Sequence, residues 1–477
     1  MNRLFESAKR TALGWVVLPW LVALAACGGD GTIGSGGTGG SIPGMAVGTV
    51  NGFGSVIVDG VPYGDLAARV VTETAPGVAA AAEVLLGDRV SVTFSEAGVA
   101  SVVTIDTALS GPVATAVSSG SFTMLGQTVM IGGQGPTTQF GGGYRRAADI
   151  VAGDQVDVQG FLVQQGGSYV IAATRIDKLS AAPAYLRVSG LIGSPSGGAA
   201  ISFSLGALSV DGSGAIVLPS GAVLGAGQAV TVLASPASYA VSPAGAPSLQ
   251  AAQIRVRALQ AGGLDNYLSG SVSSLDTQAM TFLLGGQKVI YSGATITPNQ
   301  MSLGNGQYVQ VRGSVGSDGS LTAATVAIAD VETEADSQLH GNIVTYDSVV
   351  NSFTVRGVSV DASTASLQSC PPGGLAVGLY VEVQGTLSSN GVVATTVICQ
   401  AEPSGGTVER QGVAGSVDPV GRTFVLTRGQ DAPLNVQWTD TTYFGRVTPA
   451  TLSGQTVQVE GTFVGSVLVA SKVKIDD

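Results

Sequence analysis

Apolar and polar residues alternate through most of this chain. Val156-Asp157-Val158, Tyr308-Val309-Gln310-Val311, Tyr380-Val381-Glu382-Val383 and Val457-Gln458-Val459 are typical runs, each bounded by Gly, Asp or other turn residues. A period of two places successive side chains on opposite faces and predicts short β-strands. No long stretch repeats apolar residues at helical spacing; the Ala-rich segment 79–86 is the best helix candidate. The pattern predicts an all-β protein.

The runs are also copies of one another. An opening phrase, a glycine followed by strand, turn and strand, recurs as GTVNGFGSVIVDG, GPVATAVSSGSFTML, GLIGSPSGGAAISFSL, GSVSSLDTQAMTFLL, GNIVTYDSVVNSFTV and GVAGSVDPVGRTFVL. The opening glycines, Gly48, Gly111, Gly190, Gly270, Gly341 and Gly412, are 63, 79, 80, 71 and 71 residues apart. A middle phrase (LLGDRVSV, VAGDQVDVQG, LGNGQYVQVRG, LSGQTVQVEG) and a closing phrase (VIAATRI, LTAATVAI, VVATTVI) follow in step. Such periodicity marks repeated supersecondary units. Each repeat reads as an opening hairpin, a variable connection, a central strand after a G-[QD]-x-V turn, and a closing strand.

About five or six strands in roughly 70 residues suit a small closed barrel, which also removes exposed sheet edges. The expected architecture is a tandem array of six OB-like β-barrel modules: 45–108, 109–180, 181–259, 260–331, 332–401 and 402–477. A unit this small is marginal alone, so neighbouring modules are expected to lean on each other. Phe122, Phe203, Phe282, Phe353 and Phe424 recur at one repeat position and are the expected core plugs.

The phrases VGTVNGFGSVIVDGVPY and LxxGxxVxVxG…xATxI resemble the bacterial domain-of-unknown-function family 5666, found repeated in secreted and lipid-anchored proteins. The third repeat departs most, with AVTVLASP for its central strand and a small-residue insertion at Ser235–Ser248. The resemblance implies a small β module and no activity.

The N-terminus reads as an address. Arg3, Lys9 and Arg10 precede an apolar stretch from Leu13 to Ala26 that is broken by Gly14 and Pro19 and is short for a membrane span. Leu24-Ala25-Ala26-Cys27 resembles the lipobox of bacterial lipoproteins. The resemblance implies removal of residues 1–26 as a signal peptide and lipidation of Cys27. Residues 27–44 would form a Gly/Ser tether, and Gly28 after the cysteine favours the outer membrane. The resemblance then implies the membrane as a partner, reached through this lipid.

Composition narrows the chemistry. Net charge is −11, and −13 without the first 26 residues, the wrong sign for holding nucleic acid. Seventy glycines fit turns and a tether, and the absence of a G-x-y period excludes collagen. His340 is the one histidine, poor material for acid–base catalysis or a metal site. With Glu332, Glu334 and Asp336 upstream, it reads as an exposed inter-repeat linker residue.

Asp59-Gly60, Asp211-Gly212 and Asp318-Gly319 carry hairpin-turn signals, and Asp88 and Asp154 sit in the recurrent turn before the central strand. Turn chemistry therefore accounts for these aspartates better than a glycosidase-like carboxylate pair does. No nucleophile elbow, phosphate-binding loop or EF-hand loop is present. No catalytic residue, metal or cofactor is expected.

Cys370 and Cys399, an even pair within one repeat of an exported protein, predict a disulfide. Trp438, Tyr443 and Phe444 cluster in the last repeat, either as barrel core, the commoner use, or as a candidate ligand-stacking face. The sequence therefore points to a non-enzymatic, lipid-anchored cell-envelope protein, a string of β modules acting as scaffold or adhesion/interaction protein. The alternative is a lipoprotein that binds an envelope polysaccharide or protein ligand through variable connections such as Gly132–Arg146 or the Trp438 face.

Overall fold

A computed structural model of the chain describes residues 44–475 except 66–67, 96–97, 133–135, 197–200, 258, 260–265, 299–301, 317–318, 329–335, 402–406 and 428–432. The proposed signal, Cys27 and the tether lie outside these, except that Gly44, taken as the end of the tether, begins the first strand, Gly44–Gly52. Among the described residues the regular elements are β-strands and two short 3-10 turns. The Ala-rich segment is not helical: Val78–Ala81 pairs antiparallel with Arg69–Ala75 around the left-handed Gly77. Helix propensity here loses to a tight turn that folds the segment back on its neighbour.

The strands group into several small units, and the last two repeats show the common plan. In repeat 6 the opening strand Thr407–Asp418 pairs with Thr423–Thr427 on one side and the central strand Thr456–Val464 on the other. Thr423–Thr427 continues to Leu434–Gly445. That strand runs parallel to the closing strand Val467–Ile475, whose antiparallel pairing with the central strand completes a five-stranded closed barrel. Repeat 5 follows the same order through Asp336–Asp347, Ser352–Val355, Val358–Asp361, Gly391–Gln400 and Tyr380–Ser388.

Two glycine positions make this plan repeatable. The glycine of the G-[QD] turn is left-handed in every repeat: Gly87, Gly153, Gly227, Gly306, Gly378 and Gly454 have φ between 78° and 91°. In repeats 1 to 4 the Asp or Gln beside it accepts the N–H of the residue three earlier, as Asp88 Oδ2 does from Leu85 (2.8 Å) and Gln307 Oε1 from Gly304 (2.7 Å), while repeat 5 carries Leu379 there. The glycine ending the central phrase sits at a β-bulge. A Cβ at Gly313, Gly385 or Gly461 would lie 2.1–2.2 Å from a carbonyl oxygen of the closing strand. The repeated phenylalanines are core plugs, each at most 3% exposed.

The repeats are not strung end to end. Repeat 1 joins repeat 4 by parallel pairing of Met45–Val47 with Asn266–Leu268, and repeats 2 and 3 join through Ser110 and Arg187. Phe53 exchanges backbone hydrogen bonds with Gln338 and His340 of repeat 5, and one apolar core runs through repeats 1 and 5. Repeat 2 reaches repeat 5 as well, through Gln139 Nε2 donating to the Ser388 carbonyl at 2.7 Å. Sequence-distant repeats therefore share seams, where the sequence pattern predicted contact between neighbours.

Candidate functional site

Among the described residues the seams hold most of the buried charge, and they differ from one another because they are built from side chains that are not shared between repeats. Repeat 1 contributes to several. Its Asp59-Gly60 pair forms the expected two-residue hairpin, with φ of 48° and 79°. The Asp59 carboxylate does more than turn the chain: it accepts from Ser269 Oγ and, at 3.0 Å, from the Tyr308 hydroxyl, both in repeat 4. Arg89 completes the cluster by donating to Thr49 Oγ1 and to the Ser269 carbonyl. Burial pushes the Asp59 carboxyl up against the pull of Arg89.

Toward repeat 3, Glu73 accepts from Arg255 (2.8 Å) and Gln253 (2.9 Å), with Arg187 donating to its backbone carbonyl. Toward repeat 2, Arg175 is held by a two-pronged pair with Asp177 and donates to the Leu86 carbonyl. Asp88 lies 3.8 Å from Arg175, and burial pushes its carboxyl up to about 7 against that attraction.

The largest charged seam lies between repeats 1, 5 and 6 and borders a cleft of about 410 Å3. At its floor is Arg356, in a two-residue turn with Gly357 at φ of 50° and 75°. The turn aims the Arg356 backbone N–H at Glu409 Oε2 (2.7 Å) and its guanidinium at Glu460, over the Phe53 ring at 5.3 Å. Lys472 bridges Glu460 (2.8 Å) and Glu83 (3.0 Å), and Lys474 also reaches Glu83 (3.2 Å). Burial opposes ionisation of Glu460, yet Arg356 and Lys472 overcome it and hold the carboxyl down at about 2. Glu409 has the opposite fate: burial, reinforced by the nearby Glu460 charge, pushes it up to about 7. Two carboxyls of one site thus stand far apart in acidity because one has two cations beside it and the other accepts chiefly a backbone N–H and the Gln458 amide.

One wall of the cleft comes from an irregular stretch of repeat 6. Between Trp438 and Tyr443 the third strand bulges out of register, and Thr439, Thr441 and Thr442 hydrogen-bond among themselves to hold the bulge. Thr439, Thr441 and Tyr443 line the cleft.

The residues singled out from sequence fall as follows. Cys370 and Cys399 are bonded, with a sulfur separation of 2.07 Å, pinning the connection of repeat 5 to the end of its closing strand. Replacing both by Ser should destabilise repeat 5 by about 3 kcal/mol on loop-entropy grounds, read as a lower denaturant midpoint. An unchanged midpoint would show that the bond constrains nothing.

Trp438 is not a ligand face. It is 5% exposed and packed between Phe424 and Phe444 in the barrel core, so a ligand could reach it only by opening the barrel. Phe444 packs on the same core, and only Tyr443 of the three borders the cleft. His340 is not an exposed linker: it lies within the opening strand of repeat 5, half-buried, its N–H donating to the Phe53 carbonyl at 2.7 Å. Burial lowers its imidazole pKa. Asp211 is not at a two-residue hairpin; it ends a strand and accepts from the Ser213 N–H. Asp318, Glu332 and Glu334 lie outside the described residues, as do three residues of the Gly132–Arg146 connection.

Arg356, Glu409, Glu460 and Lys472 escaped the sequence reading. Their one signal is rarity: in a chain with 11% charged residues, charges inside strand runs such as Val408-Glu409-Arg410 and Val459-Glu460 stand out. Among the described residues, no group of three or more His, Cys, Asp and Glu is placed to hold a metal ion. No described helix is long and apolar enough to cross a membrane.

Comparison with known proteins gives a family. The model of a domain of unknown function, DUF5666, matches four times, at residues 110–177, 269–327, 340–398 and 411–474. No curated protein matches the chain. Among solved structures, one described as Drosophila Unr CSD456 aligns with 44% of this chain and 97% of its own. It is 13% identical, with a TM-score of 0.14.

Proposed function

For this chain, which belongs to the DUF5666 family of unknown function, we propose the role of a non-enzymatic, lipid-anchored scaffold or interaction protein of the cell envelope. It is held through Cys27 at the outer membrane and built as an array of six small OB-like barrels. The observation that carries this reading is where the buried charge sits. Glu73, Asp59, Asp88 and the Arg356 cluster each join one repeat to another. Groups spent on fixing repeats against each other favour a rigid body that presents surface to partners over a reacting centre. The Leu24-Ala25-Ala26-Cys27 sequence and the Gly-rich stretch behind it support the anchor and tether.

The test is cross-linking in the envelope followed by two successive affinity steps. Two envelope proteins recovered together on one copy of this chain are expected, and their recovery should fall when Cys27→Ser releases it from the membrane. Recovery of no envelope protein, or a hydrolytic activity abolished by changing one carboxylate, would overturn the reading.

A further inference from the structure

Several repeats of this chain are joined backbone to backbone. Met45–Val47 runs parallel to Asn266–Leu268, and Phe53 pairs with the backbone on either side of Leu339. In repeat 2 the short strand Gln139–Gly141 lies parallel to the closing strand and donates the Phe140 N–H to the Ser389 carbonyl of repeat 5 (3.1 Å). Repeat 1 has the equivalent strand, Arg69–Ala75, but lays its hairpin partner Val78–Ala81 against it. Among the described residues nothing pairs with the far edge of Val78–Ala81, which ends its sheet. The Ala82 N–H donates to the Val70 carbonyl, so by antiparallel alternation Ala80 also faces Arg69–Ala75. The N–H and C=O groups of Ala79 and Ala81 therefore point away from the sheet, and both residues are exposed. From Val78 to Ala82 neither a proline nor a charge guards this edge, two of the devices that usually keep such strands from pairing.

We propose that this edge pairs with the same edge of a second copy of the chain, the two strands running antiparallel about a two-fold axis at Ala80. Ala79 of each copy then lies opposite Ala81 of the other, and their outward N–H and C=O groups satisfy one another. Ala80 meets Ala80 of the second copy at the position between these hydrogen-bonded pairs. Val78 falls opposite Ala82, so the register sets no like charge against its like. A second copy is the occupant because the edge is its own complement, and two-fold contact between identical surfaces is the commonest form of self-association. An unrelated protein would have to bring an open edge of its own. The contact goes beyond the scaffold reading and does not depend on it.

Cysteine cross-linking of the full-length protein, in detergent with micelles in large excess over protein, tests the register. The Cα atoms of a non-hydrogen-bonded antiparallel pair stand about 4.5 Å apart, within reach of a disulfide. Ala80→Cys is therefore expected to form a disulfide-linked dimer under mild oxidation at least tenfold faster than Ala79→Cys, with wild-type protein as the background. Ala81→Pro removes an N–H that Arg69–Ala75 does not use. Added to Ala80→Cys, it should abolish the cross-link without moving the thermal transition. No dimer above background, equal rates at the two cysteine positions, or an undiminished cross-link with Ala81→Pro would overturn the proposal. So would Ala80→Cys joining a different protein instead of its own copy when cells are oxidised. Were Ala81→Pro to unfold, the contrast between positions 79 and 80 still decides.

Discussion

Replacing Arg356 by Met should destabilise the protein by about 3–5 kcal/mol, the range for removing one partner of a buried ion pair. The guanidinium lies between Glu460 and Asp65 with almost no solvent access, and Glu460 owes its low pKa of about 2 to Arg356 together with Lys472. Without Arg356, Glu460 either keeps its charge with one cation or takes up a proton, and both cost free energy. The backbone contributes as well: a Met there must still adopt φ near 50°, so the turn toward Glu409 survives only under the same strain. The measurement is a denaturant midpoint followed by fluorescence of Trp438, which sits in the adjacent barrel core and is the one Trp outside residues 1–26. Adding Glu460→Gln should recover part of the loss, since it removes the stranded charge. A single variant as stable as wild type, or a double variant worse than the single changes predict together, would show that the pair is not coupled as described.

Stability should peak near pH 5 and fall on either side. Glu409 and Asp88 have carboxyls raised to about 7, above their ordinary range near 4. Such groups favour folding fully at low pH, and that contribution is lost as pH rises from about 4 through 7, because the unfolded chain gives up the proton first. Glu460, held at about 2, acts in the opposite sense: its contribution is present above its ordinary value near 4.5 and is lost as pH falls toward 2. Arg356, Lys472 and Glu460 face Glu409, while Arg175, Asp177 and Glu83 face Asp88. Thermal unfolding at constant ionic strength from pH 3 to 8 reads the profile directly. Glu409→Gln should flatten the limb between pH 5 and 7 and leave the acid limb in place. A wild-type profile that rises from pH 5 to 7.5 would contradict the burial of both carboxyls.

The sequence made plain whatever the repeats have in common. The alternation of Val and polar residues, the G-[QD] turn, the bulge glycine and the phenylalanine plug are copied, and copying exposes them without an alignment. The Cys370–Cys399 bond was legible because both partners fall within one unit. What distinguishes one repeat from another stayed hidden, because it serves contacts between residues far apart along the chain. Asp59 reads as turn chemistry until Ser269 and Tyr308, more than 200 positions away, are placed beside it. His340 reads as a linker until Phe53 is placed against its backbone. For Trp438 the sequence left two readings open, of which the structure shows the commoner, barrel core. An aromatic cluster has the same composition in a core as on a binding face, and only burial separates the two.

The same seams set an order of events during synthesis. Glu83 waits for Lys472, which follows it by 389 residues, and Asp59 waits for Ser269 and Tyr308. Repeat 1 emerges first yet is among the last to be finished, because Glu83 stays without its lysines until the final strand of the chain arrives. A protein truncated after any of its first five repeats therefore lacks more than a module: it leaves the oldest part of the molecule permanently incomplete.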